Sequence, residues 1–426
     1  MPVTRNEKAV SDQLLNALLA DFERGTSVTD AGIQFIELGY DETFEILPDA
    51  FRFNPKVGRR TSIGIARQAL LKCRRAGAVD IPALLQAMNE IEHQHRAVPD
   101  HNFTIWTKFR ATNMAHHRGF RVVWDGVTIK SLATLPKSLS LEEYFFNGVG
   151  RIYPRQPYEY GHVVMTCKAG NERAAMERCL EALQIVMALA NLVEGKGRWS
   201  HGDGKYWTEG KLSLGPHQFA FRDGKFLGDE RVWYNQEYEE EAWKFHPLSM
   251  RDVLRVMPIV RRALKEMSEH PLKSVLVRSL LLLQDGFCSR DGSHRLLRYW
   301  SALESLYREN GERSTSHQKV VDRAAFAEND KRLVKWKLNH AANLRHEHAH
   351  AGGSDDNLQV IGQFLRHLIV RHLNHWIFTG KSFENHSQLL AYVDLPSDPS
   401  QLEVRSAAIA RRLALIEESR RDDASG

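Results

Sequence analysis

Asn343-Leu344-Arg345-His346-Glu347-His348-Ala349-His350-Ala351-Gly352-Gly353 closes a long run of helical periodicity in the last third of the chain. The stretch places one arginine and three histidines within six positions and then ends on a glycine pair. Because glycine adopts the left-handed turn that ends helices, the pattern predicts a helix over about residues 330–349 with an exposed end. Histidine exchanges protons near neutral pH, and the arginine fork fits phosphate oxygens. This helix end is therefore the strongest functional signal in the sequence.

The region around this stretch is helical almost throughout. Beyond residue 248, apolar side chains recur at positions i, i+3, i+4 and i+7, which is typical of amphipathic helices. We predict helices in the following segments: 249–269 with a kink at Pro258, one beginning at Pro271, one capped at Asp291, 319–327, 330–349, one beginning at Ser354, and 401–418. This pattern indicates a helical bundle over residues 246–395, followed by a C-terminal helix and charged tail over 396–426.

The first part of the chain has a different texture. Helical periodicity predicts helices over residues 5–25, 62–74, 81–91 and 172–193. Alternating apolar and polar residues predict strands over 103–110 and 160–167, strand structure over 119–130 with a hairpin turn at Asp125-Gly126, and a hairpin that begins at Phe219. The fold class is therefore an α+β N-terminal region over residues 1–245 followed by an all-α bundle. The role of residues 1–245 stays open, a sensor or regulatory role being one expectation.

Composition limits the class of protein. Of 426 residues, 42% are apolar and 26% charged, which is usual for a globular protein. The net charge of +5 is compatible with a polyanionic partner. Four scattered cysteines without a C-x-x-C pair suggest free thiols. The N-terminus has no apolar segment of a signal peptide, and no apolar run is long enough for a bilayer. We expect a cytoplasmic protein without a membrane partner.

One interpretation of the histidine-rich stretch is zinc hydrolysis. His346-Glu347-His348-Ala349-His350 fits the pattern H-E-x-x-H, in which two imidazoles bind zinc and the glutamate acts as a general base. A third protein ligand would be needed, and the downstream candidates are His367, His372, His375 and Glu384. A chain with 20 histidines matches such a short pattern easily by chance. The glycine pair also ends the helix where such sites usually continue.

A second interpretation is metal-free phosphodiester chemistry by Arg345 and His350. An arginine and a histidine with four or five residues between them also occur at Arg96/His101, Arg110/His116 and Arg366/His372. Only the Arg345/His350 pair combines a helical approach, an Asn-Leu prefix, a polar residue directly after the arginine and a glycine stop.

Two stretches carry a family resemblance: the aromatic-rich helix His294-Arg-Leu-Leu-Arg-Tyr-Trp-Ser-Ala-Leu-Glu-Ser-Leu-Tyr307, and residues 343–353. Over residues 250–380 the chain resembles the HEPN domain, and within it the Apea-like group, through the W-x-A-L-E-x-L helix and the L-R-x4-6-H-G motif. Ala351 departs from the pattern, since many members have glycine directly after the histidine. The resemblance implies an all-α bundle, usually dimeric, in a family where many members are metal-independent ribonucleases of bacterial defence or toxin systems.

By this resemblance Arg345 and His350 take the catalytic positions and His346 takes the polar position after the arginine. RNA would be the partner, and neither a metal nor another cofactor is required. RNA supplies its own nucleophile, the 2′-hydroxyl, so the enzyme needs only proton transfer and charge stabilisation. Positions five apart lie about 140° apart around a helix axis. We therefore expect a homodimer in which two Arg/His sets meet across a two-fold axis.

The third interpretation is a binding scaffold without catalysis. Cationic side chains stabilise a helix C-terminus through the dipole alone, and function depends on the site rather than the fold. Glu304 is either an orienting partner of Arg345 or an ordinary surface glutamate. Arg295 and Arg298 would guide RNA or simply form a charged helix face. Tyr299 and Trp300 fit the core better than a base-stacking surface.

Overall fold

The computed structural model describes most of the chain. It covers residues 2–425 apart from 8–9, 30–31, 36–42, 45, 55–56, 58, 78, 98–99, 112–118, 140–159, 195–211, 228–231, 235–247, 290, 310–316, 327, 352–357 and 397.

The N-terminal part is a small helical unit with two short strand pairs. Its helices are α1 (Asp12–Arg24), α2 (Arg59–Arg75) and α3 (Ile81–Ala97), and its strands are β1 (Thr4–Arg5), β2 (Thr26–Thr29), β3 (Gly32–Phe35) and β4 (Phe51–Arg52). β1 pairs with β4 and β2 with β3, both antiparallel. Leu15, Leu19 and Phe22 on α1 and Leu70 and Leu84 on the other two helices are buried in a core of their own. Among the described residues, this core is separate from the larger core of the molecule.

A seven-stranded antiparallel sheet follows. Its strands are β5 (His101–Arg110), β6 (Arg121–Trp124), β7 (Val127–Leu132), β8 (Tyr160–Ala169), β9 (Leu214–Arg222), β10 (Lys225–Phe226) and β11 (Val232–Tyr234). The order is β10-β9-β5-β8-β7-β6, and β11 also pairs with β9. Two hairpins turn at Asp125-Gly126 and Asp223-Gly224, where all four residues have positive φ. That conformation is typical of type I′ turns, for which Asp-Gly is a preferred sequence.

Helices make up the remainder. They are α4 (Glu172–Glu194), α5 (Met250–Ser268), α6 (Lys273–Cys288), α7 (Gly292–Tyr307), α8 (His317–Ala324), α9 (Lys331–Ala351), α10 (Leu358–Thr379), α11 (His386–Val393) and α12 (Pro399–Ser425). Side-chain caps begin several of them: Ser249 accepts from Asp252 N–H, and Asp291 accepts from His294 N–H. Such caps satisfy backbone donors that the first helical turn leaves open.

The larger hydrophobic core crosses the predicted boundary at residue 245. Phe103 and Met165 of the sheet, Leu189 of α4, and Leu280 and Leu303 of the bundle belong to one continuous cluster. Helix α4 contacts the sheet on one side and α5 and α6 on the other. A helix covered on both sides is apolar nearly all round, as α4 is. The domain limits 1–245 and 246–395 stay a prediction, but the sheet and the bundle share a core.

Polar contacts also join the sheet region to the bundle. The buried amide of Asn191 on α4 donates to Gln284 Oε1 on α6 at 3.1 Å, and Arg255 of α5 pairs with Glu194 at 2.9 Å. Buried amides are satisfied only in a defined arrangement, so these contacts orient α4 relative to α5 and α6.

The coarse fold prediction is confirmed: a mixed α and β region precedes a helical one. Several limits differ. The opening helix begins at Asp12 rather than residue 5, because Thr4–Arg5 pairs as a strand with Phe51–Arg52. Helix α11 was not predicted. The helix around Pro258 is continuous from Met250 to Ser268, and the glycine stop at 352–353 lies outside the described residues.

Within the described part of the chain, no helix combines the length and apolarity that a bilayer crossing requires.

Candidate functional site

Helix α9 carries the predicted site residues and has two distinct faces. Leu338, Ala341 and Ala342 are buried against the bundle, where α9 contacts α7, α8 and α10. Arg345 follows them at the next helical turn and lies at the edge of this packed face, with its side chain 38% exposed. The helix is continuous to Ala351, so positions 345, 346 and 350 all lie on its last two turns.

Arg345 is positioned by the neighbouring helix α7. Its Nη1 lies 3.8 Å from Glu304 Oε1, and the glutamate side chain is only 18% exposed. The separation is that of an ion pair without a direct hydrogen bond. The structure places Glu304 next to Arg345, and the suggestion that this carboxylate orients the guanidinium stays a prediction. The Arg345 side chain is 38% exposed, and an exposed guanidinium can bind a phosphate oxygen.

His346 and Glu347 are exposed on the surface of the same helix. The backbone of residue 350 belongs to α9, whereas the His350 side chain lies outside the described residues. Its place in the site stays a prediction. The helix does establish the angle between the two positions: at about 100° per residue, position 350 lies about 140° around the axis from Arg345.

One candidate for the third ligand of the zinc interpretation is engaged elsewhere. His372, one of the candidates, is 3% exposed and holds contacts with two other side chains. No group of three histidine, cysteine or acidic side chains in the described part of the chain is arranged to hold a metal ion. His346 and Glu347 are exposed, whereas the His372 imidazole is buried.

His372 belongs to a buried polar chain that the sequence did not reveal. Trp376 Nε1 donates to Tyr307 Oη at 3.1 Å, and Tyr307 Oη lies 2.8 Å from His372 Nδ1. His372 Nε2 lies 3.1 Å from Glu328 Oε1, and Arg371 pairs with the other Glu328 oxygen at 2.7 Å. One neutral tautomer, with the proton on Nε2, satisfies every donor in the chain. The network joins α7 and α10 to the segment before α9.

Burial governs the titration of this network. It raises the pKa of the Tyr307 hydroxyl and lowers the pKa of His372, although Glu328 acts in the opposite direction. The hydrogen bond from His372 lowers the pKa of Glu328. The imidazole therefore stays neutral and the carboxylate charged, which is the state that the hydrogen bonds require.

Of the other expectations for helix α7 residues, one agrees with the structure and another does not. Tyr299 and Trp300 are fully buried, as a core role predicts. The suggestion that Arg295 guides RNA is wrong, because Arg295 is 7% exposed and donates through Nη2 to Ser289 O at 2.7 Å. Arg298 is half-buried, and its Nε is buried without a hydrogen-bond partner among the described residues. The described side chain on α7 that serves the site is Glu304.

Comparisons of the chain with protein-family models, curated proteins and solved structures returned no match.

Proposed function

We propose that this protein is a metal-independent endoribonuclease of HEPN type that acts as a homodimer in the cytoplasm. In the proposal His350 is the general acid and base, Arg345 binds the scissile phosphate, and His346 supports them as a second polar group. A place in bacterial anti-phage defence or a toxin-like system belongs to the same proposal.

The Arg345–Glu304 contact is the observation that carries this function. Glu304 lies 3.8 Å from the Arg345 guanidinium, and the arginine side chain is 38% exposed; we infer that the carboxylate restricts the orientation of the guanidinium. Restricting a guanidinium before the substrate arrives lowers the entropy cost of phosphate binding.

The chemistry follows from the RNA. Neutral imidazole accepts the proton of the 2′-hydroxyl while the oxygen attacks the phosphorus. The bond from phosphorus to the 5′-oxygen breaks, and this oxygen takes a proton from an imidazolium. The products are a 2′,3′-cyclic phosphate and a 5′-hydroxyl, so proton count and charge balance. Arg345 stabilises the additional negative charge of the phosphorane.

A binding scaffold without catalysis is the alternative function, and one feature of helix α9 favours it. Since positions 345 and 350 lie about 140° apart, one chain does not direct both side chains at the same phosphate. In a two-fold dimer an Arg345 of one subunit and a His350 of the other can meet. Catalysis therefore depends on the dimer, whereas a scaffold does not.

The test compares RNA cleavage by wild type, Arg345→Ala and His350→Ala on a fluorophore-quencher RNA. Loss of the histidine should reduce the rate about 10²- to 10⁴-fold, and loss of the arginine about 10²- to 10³-fold. Arg24→Ala and His93→Ala, which alter exposed residues of the N-terminal unit, serve as matched controls. Equal rates for all variants would remove the catalytic assignment and leave the scaffold.

Two further arms separate the enzyme classes. A single 2′-deoxy substitution at the cleaved position should abolish cutting there, because the nucleophile is missing. EDTA should leave the rate unchanged for the proposed ribonuclease, whereas loss of activity in EDTA would favour the zinc alternative.

A further inference from the structure

The solvent face of helix α9 forms a continuous stripe opposite its buried face. Its members are exposed and lie within about 100° of one another around the axis; they are Arg332, Leu333, Trp336, His340, Asn343 and Glu347. We call these six residues the α9 stripe. It leads along the helix toward the turn that carries the proposed catalytic residues.

Trp336 dominates the stripe. Its side chain is 67% exposed, compared with 41% for Phe35 and 45% for Tyr392. The indole lies nearly parallel to the His340 ring, with an interplanar angle of 13° and centroids 6.5 Å apart. Leu333, 44% exposed, lies about two turns before His340 on the same side. Trp336, His340 and Leu333 together form an exposed surface, in which about two-thirds of the tryptophan side chain is accessible to water.

Helix α9 carries mainly positive charge. Residues 331–351 contain five lysines and arginines and a single glutamate. Arg332 on the stripe is exposed, and Lys337 lies beside it over the Phe364 ring at 5.5 Å. Exposed aromatic rings beside cations are the features that bind single-stranded nucleic acids, since bases stack on the rings and phosphates approach the cations.

We propose that the α9 stripe binds single-stranded RNA, with an unpaired base stacked on Trp336 and a phosphate against Arg332. This inference rests on the proposed ribonuclease function and names the part of the substrate that lies outside the cleavage site. Trp336 is a positioning residue: it does not reach the reacting atoms but holds the strand that leads to them.

A second copy of the chain is the other occupant to weigh, and charge disfavours it. In a two-fold contact through this stripe, each copy would bring Arg332 on the stripe and Lys337 beside it against a single carboxylate, Glu347, so two surfaces of net positive charge would meet. Only two large apolar side chains, Leu333 and Trp336, would offset that repulsion. A polyanion is complementary to the same surface.

The helix also sets a length for the substrate. Positions 336 and 350 are separated by about 21 Å along the axis, which corresponds to about six nucleotides at 3.4 Å per stacked step. Trp336 should therefore matter only for RNAs with at least that many unpaired nucleotides on one side of the cut.

The experiment measures binding in the full-length His350→Ala protein, so that cleavage does not interfere. Anisotropy of a fluorescent single-stranded 20-mer is recorded with Trp336 intact, Trp336→Ala and Trp336→Phe. We expect Trp336→Ala to weaken binding at least about fivefold and Trp336→Phe to retain most of it. Arg332→Gln should reduce the slope of log Kd against log salt by about 0.7. Val404→Ala, which truncates a side chain 72% exposed on α12, is the matched control.

Three results would overturn the inference. The first is an unchanged Kd for Trp336→Ala, and the second is an equal loss of RNA affinity in Val404→Ala. The third is that Trp336→Ala converts a dimer to a monomer in light scattering while RNA binding stays unaltered. The last result would assign the stripe to a second copy. Because binding is read without cleavage, its outcome is independent of the catalytic test. RNA binding that depends on Trp336 in a protein that never cleaves RNA would refute the ribonuclease and keep the stripe.

Discussion

At the scale of single residues, the site depends on how one arginine is held. Arg345 and Glu304 lie on different helices and meet at 3.8 Å, a separation that no sequence spacing reveals. The sequence identified Arg345 from its motif, and it left the role of Glu304 open. Arg295 shows the opposite case, since its charge suggested a surface role whereas its fork is bonded inside the bundle.

Glu304→Gln tests this contact. The amide keeps the size of the carboxylate but loses its charge, so Arg345 becomes less restricted. We expect about a tenfold lower cleavage rate, within the range known for misplaced catalytic groups, with little change in melting temperature. Glu304→Gln combined with Arg345→Ala should be no slower than Arg345→Ala alone. Glu266→Gln is the matched control, because it breaks a comparable half-exposed pair with Lys381 at 2.7 Å, outside the site. Additive losses in the double variant would show that the two residues act separately.

At the scale of elements, periodicity predicted most helices and strands, and turn chemistry predicted both Asp-Gly hairpins. These features are local, so the chain itself carries the signal. Helix α11 was missed although Asn385 caps it and Leu389, Leu390 and Val393 are buried, because nearby prolines suggested a linker. The start of α1 was also missed, since it depends on a strand pair formed with residues 51–52.

The packing of α6 against α7 depends on one glycine. A Cβ at Gly286 would lie 2.4 Å from Tyr299 Cε1, and the tyrosine ring is fully buried. Gly286→Ala should therefore force the two helices apart and destabilise the protein by about 1–3 kcal/mol, as overpacking does. Urea denaturation measures this loss.

Gly362→Ala in α10 is the matched control, since its added methyl meets no atom within 4 Å. Removing a helical glycine without a clash should stabilise by about 0.5–1 kcal/mol. Equal effects of the two alanines would show that the close approach of α6 and α7 does not depend on Gly286.

At the scale of the whole molecule, buried histidines should make stability depend on pH. Burial lowers the pKa of His270 and His372, and it lowers the pKa of His162 to about 4. Because these pKa values are lower in the folded state, the unfolded chain binds more protons than the folded one once the pH falls below 6.5, the ordinary pKa of histidine. The free energy of unfolding should therefore have its full value above pH 6.5 and decrease as the pH falls toward 4. Urea denaturation at pH 7.5 and 5.0 checks this, and equal free energies of unfolding would contradict it.

The same scale decides whether two chains make one site. Arg345→Ala keeps His350, and His350→Ala keeps Arg345, so each homodimer lacks one group at every site. If the site combines the arginine of one subunit with the histidine of the other, a mixed dimer contains one complete pair. Random exchange makes half of the dimers mixed, so activity should recover to about one quarter of wild type. Unfolding and refolding the variants together, with separate refolding as the control, measures the recovery. No recovery, with mixed dimers demonstrated by two affinity tags, would mean that each chain supplies its own pair, which the 140° separation on α9 opposes.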